Sequence, residues 1–205
     1  MKVKVTFTEE VLGSQPDPET WAKYLGSKSA DAEKLQEEAA ALPAEELMEK
    51  GTTTFYRFAN KPALMDYQIK GFFKEACSMM SRVPDSISKE LKAFKKIIDG
   101  LVMVYPRFIP LQGEVEVKPV DDMGQCPRPM RGQTPQGERV SLVNSETVPA
   151  GTQCEFEVKC LDPKHEKYVR EWLNYGQFKG IGQWRNSGKG RFTWEEIEEA
   201  KSAKK

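Results

Sequence analysis

The chain has 205 residues, of which 39% are hydrophobic and 30% charged, a mixture that supports a substantial buried core and excludes wholesale disorder. Its formal net charge is zero, which argues against a surface built throughout for polyanions. No apolar run reaches membrane-spanning length, and the N-terminal segment alternates instead of forming the unbroken block of a signal peptide, so the expected location is the cytoplasm.

Charge is segregated along the chain. Residues 1–60 hold seven Lys/Arg against eleven Asp/Glu, residues 61–112 hold nine against five, and the stretch from Lys179 to Arg191 is purely basic. The four cysteines, Cys77, Cys126, Cys154 and Cys160, have no metal-ligand spacing and are expected to remain thiols in a reducing compartment. Neither a metal nor a cofactor is expected.

In chain order, KVKVTFT at 2–8 places Val3, Val5 and Phe7 on one face of a half-buried strand. An acidic, alanine-rich helical insertion follows over about 14–52, interrupted at Pro43. FYRF at 55–58 reads as a short strand, and LMDYQIKGFFKEACSMM as a helix with Ile69, Phe72, Phe73, Ala76 and Met80 inward. Gly71 within that helix costs roughly 1 kcal/mol relative to alanine, which points to close packing or to backbone approach by a ligand. A second helix is expected over 86–99, ended by Gly100, then a buried strand through LVMVYPRFIPLQ and a further strand at GEVEVKP.

Residues of about 119–139 are rich in proline and glycine and read as a protruding loop or long hairpin. Beyond the V-P-A-G-T turn, Cys154, Phe156, Val158 and Cys160 share one strand face. A helix then opens at Asp162-Pro163, with aspartate as cap and proline in the first turn, burying Val169, Trp172 and Leu173. Met79 and Met80 are expected in the core.

The most informative segment is YGQFKGIGQWRNSGKGRF at 175–192, where Gly176, Gly180, Gly182, Gly188 and Gly190 interleave with Lys179, Arg185, Lys189 and Arg191. Glycines permit positive-φ turns and close backbone approach, and the flanking cations suit phosphates. The alternative is a tight hairpin at a sheet end. The segment matches neither a dinucleotide fingerprint nor a phosphate-binding P-loop. Trp184 either stacks a base or anchors the loop, and Phe192 is assigned to the core. His165, the single histidine, is read as an exposed helix residue without a partner, and no catalytic residue is assigned.

Three segments resemble, in order, the RAMP superfamily of CRISPR-associated RNA-binding proteins: YQIKGFFKEA at 67–76, ETVPAGTQCEFEVKCLD at 146–162, and GIGQWRNSGKGRF at 180–192. The resemblance implies an α+β, ferredoxin-like (RRM-like) antiparallel sheet with helices on one face and inserted surface elements, forming one compact domain over 1–205. It also implies noncatalytic RNA or single-stranded nucleic-acid binding, with a protein partner in a larger assembly. Carried over, the binding residues are Lys70 and Gly71 near the start of the first helix, and Gly180, Gly182, Arg185, Gly188, Lys189 and Gly190 in the loop; the composition of the loop itself adds Lys179, Trp184 and Arg191 to the candidate site. The rival reading, motivated by neutrality and the acidic N-terminal region, is a protein-interaction or structural module, such as a viral protein that binds a host defence complex.

Overall fold

In the computed structural model, residues 1–16, 52–113, 124–134 and 137–197 are described; all but the ends of the expected acidic helical insertion, and all of the expected GEVEVKP strand but its first residue, fall outside them. A four-stranded antiparallel sheet organises the rest. It comprises β1 (Lys2–Phe7), β7 (Val102–Tyr105), β12 (Gln153–Cys160) and β13 (Phe192–Ile197), in the order β13-β1-β12-β7. Helix α1 (Asp66–Met80) links the first pair, with α2 (Phe94–Leu101) leading into β7, and α3 (Glu166–Tyr175) links the second pair. Two strand–helix–strand units interleaved in this order are the ferredoxin-like arrangement that the sequence led us to expect.

Alternation along the strands decides which face is covered. Val3, Val5 and Phe7 of β1, Val102 and Val104 of β7, and Cys154, Phe156 and Val158 of β12 are all buried. They meet Ile69, Phe72, Phe73, Ala76 and Cys77 from α1 and Val169, Trp172 and Leu173 from α3 in one cluster. Burial holds the Cys154 thiol up at about 12 and the Cys160 thiol up at about 11, and raises that of Cys77.

The helical reading of residues 86–99 is corrected. A 3-10 turn over Ile87–Glu90 is followed by α2 after Ala93, a residue in the left-handed conformation, and α2 runs through Gly100 straight into β7. The turn is held from outside. Glu171 of α3 accepts from the Ser86 hydroxyl at 2.8 Å, from the amides of Ile87 and Ser88 at 3.0 and 3.1 Å, and from the Ser88 hydroxyl. The Ser88 hydroxyl also accepts from the Trp172 indole at 2.9 Å. Met79 is exposed and Met80 only half-buried and outside the core cluster, another correction, because α1 turns Met79 away from the sheet.

The remaining strands make two smaller sheets. In one, β10 (Arg128–Thr134), β11 (Gly137–Val148), β4 (Thr52–Thr54) and β3 (Gln15–Pro16) pair in that order, with β2 (Val11–Leu12) and β9 (Gly124–Gln125) also on β11. The other is β5 (Tyr56–Phe58), β6 (Lys61–Met65) and β8 (Phe108–Pro110). Residues 128–134 thus pair antiparallel with 137–143.

Two outcomes check this packing. Replacing Glu171 with alanine orphans the donors of the 3-10 turn and is expected to lower unfolding stability by roughly 1–3 kcal/mol, with glutamine recovering part of it in urea titrations. At pH 8, native alkylation is expected to reach half-buried Cys126 before Cys77 and Cys154, as read by peptide mass mapping.

Candidate nucleic-acid interface

The sheet face away from the helices is a poor candidate. Register and burial place Lys2, Lys4, Lys159, Glu155, Glu157 and Glu195 there, mixed in sign, with Tyr105 as its aromatic among the described residues. Lys159 already lies 5.5 Å from the Tyr105 ring centroid. RRM-type recognition needs several aromatics on that surface.

The glycine-rich segment is the better candidate, and its shape is built from inside. Phe192 packs edge-on to Phe7 and Phe72, with centroids 6.0 and 5.4 Å apart. Its ring occupies the space a side chain on Gly176 would need, and its amide donates to the Gly176 carbonyl at 3.2 Å. Ile181 is buried and donates its amide to the Gly190 carbonyl, while the Gly190 amide donates to the Glu10 carbonyl at 2.8 Å.

Gly180, Gly182, Gly188 and Gly190 all have positive φ. A side chain on Gly190 would overlap the Ile181 carbonyl, and one on Gly182 would come within 2.9 Å of the Leu12 carbonyl. Gly190 therefore serves the closure of the loop on itself, and Gly182 its packing on Val11 and Leu12. Gly188 differs: a Cβ there would meet only the Arg191 side chain, at 3.3 Å.

The loop's cations are oriented by carboxylates that sequence reasoning missed. Arg185 pairs with Glu75 of α1, Lys179 approaches the same carboxylate at 3.6 Å and bonds Asn186 at 2.8 Å, and Lys189 pairs with Glu10. That hydrogen bond raises the Lys189 pKa. The Arg191 side chain is exposed and forms no ion pair among the described residues. Lys179, Arg185 and Lys189 thus face Glu75 and Glu10, with Glu9 also acting on Lys189, while the loop itself carries four cations and no acidic residue.

Lys70 and Gly71 are not gathered with the loop. Lys70 reaches the Asp99 carbonyl at 3.3 Å and the Met103 sulfur at 3.7 Å. Five residues along a helix turn about 140° away, so Glu75 leaves α1 on the opposite flank from Lys70. Gly71 is exposed, with nothing within 4 Å of a prospective Cβ, so close packing does not explain it.

Trp184, at φ +52°, is 43% exposed, with the Arg128 guanidinium 5.4 Å from its ring centroid. Arg128, also missed, is 5% exposed and donates to Ser145 and Gln183, each at 2.8 Å. Phe178, at 71%, is the most exposed large apolar side chain among the described residues.

His165 requires correction. It is 3% exposed beside Tyr168, because the capped turn at Asp162 directs it inward, and its Nδ1 has no described partner. The whole of α3 lies between it and the loop in the chain. No group of three or more His, Cys, Asp or Glu among the described residues forms a metal-binding cluster. No described helix is long and apolar enough to cross a membrane.

A ferredoxin-like core carrying a basic, glycine-built loop defines the class. Among solved structures, the chain is similar to one chain of type III-B Cmr-beta bound to cognate target RNA, with TM-score 0.51 and 15% identity, covering 96% of this chain and 58% of that one. It therefore spans little more than half of that chain's length. A chain of a type IV-B CRISPR complex aligns with TM-score 0.47 and 11% identity, over 97% of this chain and 90% of its own. The first likeness is one of fold alone. No family model and no curated protein matches the chain.

The two kinds of glycine can be separated experimentally. Gly188→Ala is expected to cost roughly 1–2 kcal/mol, the price of a left-handed alanine. Gly190→Ala, which drives a methyl into backbone, is expected to cost about 4 kcal/mol. Equal melting of the two variants by circular dichroism would contradict this division.

Proposed function

We propose that this chain is a noncatalytic subunit that binds the sugar–phosphate backbone of single-stranded nucleic acid, with RNA as the leading ligand, inside a larger ribonucleoprotein assembly. The observation carrying this reading is the loop of residues 179–191, which holds Lys179, Arg185, Lys189 and Arg191 and no acidic residue on a backbone fixed by positive-φ glycines. A fixed loop loses little conformational freedom on binding, so its excess charge acts on a phosphate without first being ordered. The fold likeness to a chain in an RNA-bound Cmr-beta structure supports the same reading.

Arg185 supplies a planar fork of donors and Lys189 a mobile point charge. Phosphate contact requires each to share or leave its carboxylate. Their geometry favours strong competing anions: a phosphate oxygen can take the place of a carboxylate oxygen at the same donor. The protein-interaction alternative would instead use these ion pairs solely to pin the loop to α1 and to the segment after β1.

Arg185→Ala with Lys189→Ala separates the two. Fluorescence anisotropy with single-stranded RNA, single-stranded DNA and duplex is expected to show weakened binding and a salt dependence flatter by at most about 1.4 in log–log slope. Loss of the two partly exposed ion pairs is expected to cost less than about 2 kcal/mol of stability. Unchanged RNA affinity across salt, with normal melting, would overturn the loop as the binding site. Absence of saturable RNA binding by the parent at low salt would overturn the function itself.

A further inference from the structure

We infer that Trp184 and Arg128 together form a stacking platform for one unpaired base, so that the loop reads a single strand by its bases as well as by its phosphates. This rests on the proposed nucleic-acid binding and adds a subsite to it.

The platform is assembled from three elements. Trp184 stands in a left-handed backbone conformation immediately before the 3-10 turn of residues 185–187, closed by hydrogen bonds from the Ser187 and Gly188 amides to the Trp184 and Arg185 carbonyls. Arg128 comes from β10, and Ser145, which accepts from it, comes from β11. The Ser145 hydroxyl is itself tied to that of Thr53 on β4 at 2.6 Å, and Thr53 lies 2.9 Å from the Gly13 carbonyl. Gln183 bonds the other arm of the guanidinium, so the residue preceding the indole also fixes the cation against it.

Two observations point from this arrangement to a ligand. Arg128 is the buried cation among the described residues, and its described partners are two neutral oxygens. A buried guanidinium without a carboxylate is costly to keep for packing alone, and it leaves positive charge directly beneath the indole. Trp184 makes no ring pair with a described aromatic and lies outside the hydrophobic core, although 43% of its surface is exposed. An indole oriented by a cation and left 43% exposed can take a second flat π system at little entropic cost.

A nucleobase fits this description better than a peptide side chain because the loop's cations stand close to Trp184 in the chain: Arg185 follows it directly, and Lys189 is five residues on. A base on the indole places its own phosphates near those cations. Bases within a duplex have both faces occupied, so the platform selects unpaired nucleotides and tolerates any base, since all have a π face.

The test uses the full chain and fluorescein-labelled single-stranded RNA, the same strand with abasic positions, and the fully paired duplex. Trp184→Ala is expected to weaken binding of the intact strand about tenfold, while leaving the abasic strand's affinity and the salt slope unchanged. Trp184→Phe is expected to recover most of the loss, and thermal melting of both variants to match the parent. Arg128→Met, which keeps the buried volume and removes the cation, is expected to give a smaller loss with the same insensitivity on the abasic strand. Equal binding of intact RNA by parent and Trp184→Ala overturns the platform while the phosphate reading stands. A drop in salt slope along with affinity also overturns it, because Trp184 would then act by placing the loop's charges. Failure of the parent to bind any of the three strands overturns both the platform and the function beneath it.

Discussion

Phe192 lies where Gly176 has no side chain, and the arrangement of the loop follows from that contact. The ring fills the gap edge-on to Phe7 and Phe72, so the last strand of the main sheet is locked to the first strand and to α1 at the point where the loop ends. The amide of Phe192 closes on the carbonyl of Gly176 at the point where the loop begins. A segment with both ends clamped has few ways to run between them. Buried Ile181 and the positive-φ glycines choose among those ways, and the cations follow from the backbone that results.

Electrostatics then works on a shape already determined. The carboxylates of Glu75 and Glu10 come from α1 and from the segment after β1, two parts of the chain more than sixty residues apart. Their partly exposed pairs add little stability in water. What they contribute is position: they hold Arg185 and Lys189 extended from the loop and in known places.

Much of the core was legible in the sequence because burial imposes a period. Val3, Val5 and Phe7 alternate, Cys154 to Val158 alternate, and Ile69, Phe72, Phe73 and Ala76 recur with the helix, as their burial requires. Contacts that cross between elements leave no such trace, which is why Glu75 and Glu10 were not foreseen as partners of the loop. Arg128 was hidden for a different reason. The prolines on either side of it read as turn formers, yet β10 is an edge strand, where the missing amide of a proline costs the sheet least. His165 was misjudged because its capped turn was legible and the direction that turn faces was not.

Glu75 serves two cations at once, and the space beside it on α1 is open. Gly71 stands one helical turn earlier on the same flank and contributes no side chain to fill it. A carboxylate so placed has room to swing aside without disturbing the core. On the proposed function, the loop therefore behaves as an ion exchanger: it carries a resident anion of its own chain, and an incoming phosphate wins the site by displacing that anion. Weakly coordinating anions such as chloride gain little from such a trade, so the resident carboxylate sets a threshold that separates nucleic acid from the ordinary salts of the cell.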